Sequence, residues 1–109
     1  MRLPSRTESL EFMTKTLFGF AKISPKPEFF TDAQDAILDI VDITRAEPGC
    51  IQFTVLANAD QGDIFLFEEW QDDAALKQHH AKPYTKAVME NYDHWLAQPL
   101  RFDTMAKLR

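Results

Sequence analysis

Three features predict an α+β fold of the ferredoxin-like split-βαβ type. Strand and helix periodicities alternate in the order β-α-β-β-α-β, each helix carries one apolar stripe, and two strands are apolar on both faces. In this topology the first and third strands lie at the centre of one antiparallel sheet, and both helices cover one of its faces. The two most apolar strand candidates, "LFGFA" and "IFLF", are the ones that would take those central places.

The first strand is expected over Thr14–Ile23. Leu17, Gly19, Ala21 and Ile23 share one face, and Phe18, Phe20 and Lys22 the other. "SPKP" stops it, because proline cannot continue a hydrogen-bonded ladder. Glu28–Glu47 reads as a helix, with Phe30, Ala33, Ile37, Ile40, Val41 and Thr44 on the buried stripe. Asp32, Asp35, Asp39 and Asp42 fall mostly outside that stripe and make an acidic surface. Thr31 with Gln34 forms a capping-box pattern, which would place the regular start at Thr31. Pro48-Gly49 ends the helix.

Cys50–Ala57 is the second strand, with Ile51, Phe53 and Val55 opposite Cys50, Gln52, Thr54 and Leu56. "NADQGD" is a turn, and Ile64–Trp70 completes a hairpin. Asp72 is the expected N-cap of a short helix to Ala81, and Pro83 suits the first turn of the next. Tyr84, Ala87, Val88, Tyr92, Trp95 and Leu96 form the stripe of that last helix. Leu100–Leu108 alternates as a final strand. Residues 1–13 read as a polar leader, outside a single domain spanning 14–109.

The 109 residues suffice for one core without disulfide or metal staples. A formal net charge of −5 opposes nucleic-acid binding, which requires cations to meet phosphates. One cysteine excludes an internal disulfide framework. No apolar run spans a bilayer, and the N-terminus lacks the apolar core of a secretion signal, so a cytoplasmic protein without a membrane partner is expected. Two helices leave one face of the sheet open, and its phenylalanines need a cover. The simplest cover is a second copy of the chain, giving a homodimer.

Phosphate loops, zinc motifs and nucleophile elbows are absent from the sequence. Its histidines are His79, His80 and His94. Adjacent helical residues diverge by about 100°, so His79 and His80 do not converge on one ion, and no metal site is expected. Leu76 lies between the directions of the two rings, so at least one imidazole leans inward. Such a histidine is either a hydrogen-bonded core residue or a general base at the mouth of a cleft. Glu68 and Glu69 face opposite sides of their strand, one expected to pair with a cation or cap a helix and the other to be solvated. Cys50 reads as a small buried hydrophobe, and Trp70 as a core residue.

The stretch "EPGCIQFTVL…DIFLFEEWQDDAALKQHHAKPYTKAV" resembles the antibiotic biosynthesis monooxygenase family of dimeric α+β barrels. The resemblance rests on Pro48-Gly49-Cys50 opening a strand, Glu68-Glu69-Trp70 closing the next, Ala75-Leu76 with His79 on a helix, and Pro83-Tyr84. It implies a homodimer and, in each subunit, a cleft between sheet and helices. Some members oxygenate quinols or phenols with O₂ and no cofactor, others degrade haem, and one branch acts on a phosphorylated autoinducer-2 signal. Haem-degrading members have tryptophan at the place of His79 and histidine at that of Met89, so the resemblance speaks against haem. The actinorhodin-pathway member has asparagine and tyrosine where this chain has Leu66 and Leu76. His79 is shared with the quinol and autoinducer branches.

A cofactor-independent monooxygenase of quinols or related phenols is therefore expected. His79 is the candidate base, and Tyr84 a donor to the oxygen that gains charge. Trp70, Phe53 and Phe67 are candidate ring walls, with Leu66 and Leu76 beside a small aromatic substrate. The alternatives are a ligand-binding barrel without turnover, which the two leucines favour, and chemistry on a phosphorylated signal. The latter needs a cationic clamp, and Lys77, Lys82 and Lys86 also fit a solvated helix face.

Overall fold

The computed structural model describes residues 15–58 and 60–109. The polar leader expected at 1–13 lies outside them. The described chain runs β1 (Leu17–Ile23), a 3₁₀ turn (Pro27–Phe29), α1 (Phe30–Asp39), α2 (Val41–Arg45), β2 (Cys50–Asn58), β3 (Asp63–Trp70), α3 (Asp73–Ala81), α4 (Pro83–Trp95) and β4 (Arg101–Ala106). The strands form one antiparallel sheet in the order β2-β3-β1-β4. This is the expected ferredoxin-like α+β topology, with the first and third strands central.

Strand parity sorts the sheet into two unlike faces. Ala21, Ile23, Ile64, Leu66 and Trp70 point to the helices and are buried there with Phe53. Phe18 and Phe20 point to the open side, where Phe18 packs on Phe67 and Phe20 on Phe65 across the β1–β3 ladder. Leu56 and Met105 extend this open patch, and both remain largely exposed in the single chain.

Four local expectations are corrected. The helix expected over Glu28–Glu47 is interrupted at Ile40, where ψ rises to 3° and a tighter turn forms. The break re-aims α2 so that Arg45 donates from both Nε and Nη2 to the Phe53 carbonyl, at 3.0 and 2.9 Å. The Thr31/Gln34 capping box does not form, because the 3₁₀ turn already leads into α1 and Thr31 sits inside its first turn. In β2 a bulge between Cys50 and Gln52 adds one residue to the strand. It turns Cys50 to the same face as Phe53 and leaves Ile51 54% exposed. In α4 the buried line runs through Thr85, Val88 and Tyr92, and Ala87 faces outward.

Two glycines are required by close approach. A Cβ on Gly19 would lie 2.9 Å from the Phe102 ring, so this glycine makes the space that Phe102 of β4 fills. A Cβ on Gly49 would lie 2.3 Å from the Ala75 Cβ. The entry to β2 and helix α3 therefore touch backbone to side chain, and the Gln71 N–H donates to the Gly49 carbonyl at 2.8 Å across the same junction.

Candidate functional site

The face of the sheet beneath the helices does not close completely. A cavity of about 250 Å³ remains, bounded by the sheet, α1, α3 and α4. An apolar cavity of about 150 Å³ already holds one benzene ring, so this one has room for one or two fused rings. Its walls are apolar, with Phe53, Leu66 and Phe102 among them, and three buried polar side chains interrupt them: Glu68, His79 and Thr85. No lysine or arginine lines it among the described residues.

His79 is carried by α3. Asp72 caps that helix, its Oδ1 accepting from the Ala75 N–H at 2.8 Å as expected. His79 then falls one turn beyond Ala75, on the same side of the helix. The ring is only 3% exposed. It lies over Trp70 with centroids 4.7 Å apart and edge-on to Phe53. Its Nδ1 is 2.8 Å from Oε2 of Glu47. The carboxylate favours the tautomer with the proton on Nδ1, which leaves Nε2 as an acceptor. His80 is exposed, yet its ring also lines the mouth of the cavity, edge-on to Phe102 at 5.3 Å. Burial and the neighbouring His79 lower its pKa.

Glu47 is the residue that the sequence reading left out. Tyr84 donates its phenolic O–H to the same Oε2 that meets His79. Burial first, and this bond to Glu47 second, push the Tyr84 pKa up, so the phenol stays protonated. Tyr84 does not line the cavity, and its O–H is committed to Glu47 instead of a substrate oxygen. A signal for Glu47 was present. An acid at a helix C-terminus opposes the macrodipole, so it needs a local partner to compensate.

Of the remaining candidates, Phe53 and Leu66 line the cavity. Trp70 is fully buried beneath His79, and Leu76 is buried under α3, so both support the wall from behind. Phe67 lies on the opposite face of the sheet against Phe18 and faces away from the cavity. Cys50 lies near Glu47 and Glu68, and burial, reinforced by those two carboxylates, pushes its thiol pKa up, away from ready nucleophilicity. Lys77 pairs with Asp73 at 2.9 Å on the solvated face of α3.

Fold and site together define a small ferredoxin-like protein with an aromatic-sized cavity and an acid–histidine pair in its wall. The chain belongs to the antibiotic biosynthesis monooxygenase family, whose profile matches residues 18–91. It is 29% identical over 100 residues to the Mycobacterium tuberculosis protein named "Putative monooxygenase Rv0793", covering 88% of this chain and 95% of that one. It is 28% identical over 87 residues to "Putative monooxygenase YcnE" of Bacillus subtilis, covering 77% and 87%. The solved structure of Rv0793 superposes with a TM-score of 0.82 at 24% identity, over 86% of this chain and 96% of that one. PA3566 of Pseudomonas aeruginosa gives 0.81 at 26% identity, over 89% and 98%. No described helix is long and apolar enough to cross a membrane.

Glu68 is neither solvated nor paired with a cation, contrary to expectation. It is 2% exposed, and its Oε1 accepts from the Trp70 indole N–H at 2.9 Å. Burial raises its pKa, and the weaker effect of the indole bond lowers it. A carboxyl whose folded pKa is raised favours folding least when ionised. Its penalty is absent below the unfolded value of 4.5 and grows as pH rises above it. Glu68→Gln keeps an acceptor for the indole and removes the charge. The variant is expected to match the parent in stability near pH 4 and to exceed it increasingly toward pH 8. Urea unfolding across that range measures it, and a gap that shrinks with rising pH would refute the assignment.

Proposed function

We propose that the protein is a cofactor-independent monooxygenase of quinols or related electron-rich phenols. The observation that carries this is the Glu47–His79 pair in the wall of an apolar cavity with room for one or two rings. A phenol whose O–H meets Nε2 of His79 can pass its proton there. Glu47 holds the ring in place and stabilises the imidazolium that forms. Tyr84 is a positioning residue, because its hydrogen bond fixes the carboxylate.

The phenolate, desolvated by Phe53, Leu66 and Phe102, transfers one electron to O₂. The semiquinone and superoxide combine at a ring carbon, forming a C–O bond, and the His79 imidazolium returns its proton to the peroxide. Loss of water from the resulting hydroperoxide breaks its O–O bond and leaves a hydroxyquinone. One oxygen atom enters the ring, the other leaves as water, and the quinol supplies the electrons. Two of the relatives carry the name "Putative monooxygenase", which supports the class of reaction. The lack of lysine and arginine among the described residues of the cavity wall supports a neutral aromatic over a phosphorylated signal. Leu66 in the wall is the one observation that favours a ligand-binding barrel without turnover, in which a quinol would stabilise the fold and persist unconverted.

The test is oxygen uptake with menadiol-type quinols, measured above the enzyme-free autoxidation rate. His79→Ala is expected to lower the enzymatic rate by about 10²–10⁴-fold. A variant that consumes O₂ as fast as the parent would exclude His79 as the base.

The open face of the sheet supports a homodimer in which two sheets pack against each other. Phe18, Phe20, Phe65 and Phe67 form its centre, and Leu56 and Met105 are the exposed groups such packing would cover. Sedimentation should give a dimer for the parent, whereas Phe67→Asp should sediment as a monomer. A parent that is monomeric at micromolar concentration would refute the packing.

A further inference from the structure

Thr85 is a buried polar group of the cavity wall that the chemistry above does not use. It is 6% exposed, it lines the cavity, and its Oγ1 has no hydrogen-bond partner among the described residues. A helical threonine normally gives its hydroxyl to the carbonyl three or four residues back. Here that bond is not made. Lys82 is extended at φ −65° and ψ 139°, so the chain before Pro83 does not continue the helix. Among the other polar groups of the wall, His79 is engaged with Glu47, Glu68 with Trp70 and Tyr92 with the Ala33 carbonyl, while His80 stands at the exposed mouth of the cavity.

Valine would fill the same volume without a buried hydroxyl to satisfy. A hydroxyl that carries its full desolvation cost in the empty protein is explained if a ligand oxygen repays it. We propose that Thr85 is a specificity-determining residue that hydrogen-bonds a second oxygen of the substrate, while the first hydroxyl meets His79. The cavity would then select aromatics bearing two oxygens over those bearing one. This rests on the reading that an aromatic hydroxyl meets His79, but not on turnover.

Binding can be measured without O₂, by anaerobic calorimetry with naphthohydroquinone and α-naphthol. The parent is expected to bind the diol about fivefold to tenfold more tightly. Thr85→Val should lose that preference, keep the parent's affinity for α-naphthol, and melt roughly 4–8 °C higher. Thr85→Ser should retain the preference. A Thr85→Val protein that still prefers the diol, or that loses affinity for both ligands alike, would overturn the assignment, as would a parent that binds neither ligand. The two proposals fail separately. A parent that prefers the diol yet consumes no O₂ sinks the oxygenase reading alone. A parent that oxidises both ligands, with a Thr85→Val variant of unchanged preference, sinks only the role of Thr85.

Discussion

The site depends on one close contact, that of Gly49 with Ala75. No side chain fits between them, since a Cβ on Gly49 would sit 2.3 Å from that of Ala75. The contact lets α3 settle directly on the turn that opens β2. Glu47 stands two residues before this point on one chain segment, and His79 stands one helical turn after it on the other. Seating the helix on the glycine therefore brings carboxylate and imidazole to 2.8 Å. The two motifs that resemble the family, Pro48-Gly49-Cys50 and Ala75-Leu76 with His79, are two halves of one packing event. His79 stands on a helix, and Glu47 stands in the short turn between α2 and β2, which the backbone hydrogen bond from Gln71 to Gly49 ties down.

Around this pair the fold accepts polar groups in places where apolar ones would stabilise it more. Glu68 is buried against an indole, and Thr85 keeps an unpartnered hydroxyl. Burying such groups destabilises the folded state, by about 1–3 kcal/mol for an unsatisfied one. Both lie in the wall of one cavity, whereas Thr44, whose buried hydroxyl is also unpartnered among the described residues, does not line it. Trp70 links the two requirements. It packs under His79 and donates to Glu68, so one core side chain supports both polar groups.

Much of the architecture was legible in the sequence, because it follows from periodicity. Strand alternation placed Phe18 and Phe20 opposite Ala21 and Ile23, and the three-and-four spacing set Ala33, Ile37 and Thr44 on one helix face. The inward lean of His79 followed from its place relative to Leu76 and Ala75. What escaped were departures from ideal geometry that no period encodes. The bulge beside Cys50 reversed its face, and the turn at Ile40 re-aimed α2. Phe67 has the composition of a ring wall, yet parity turns it to the open face. Glu47 was passed over because its partner His79 is remote in the chain, although a carboxylate at the end of a helix was a clue. The role first read for Tyr84 changed for the same reason, since its partner was that unseen carboxylate.

In the proposed mechanism Glu47 holds the His79 proton on Nδ1, leaving Nε2 as the base. Long-range ¹⁵N–¹H correlation spectra of the imidazole rings at neutral pH test this most directly. The account predicts that neutral His79 is the Nδ1–H tautomer, with an unprotonated Nε2 that shifts when an aromatic alcohol binds. A spectrum showing His79 as the Nε2–H tautomer would contradict it, because that ring would have no lone pair to offer a substrate.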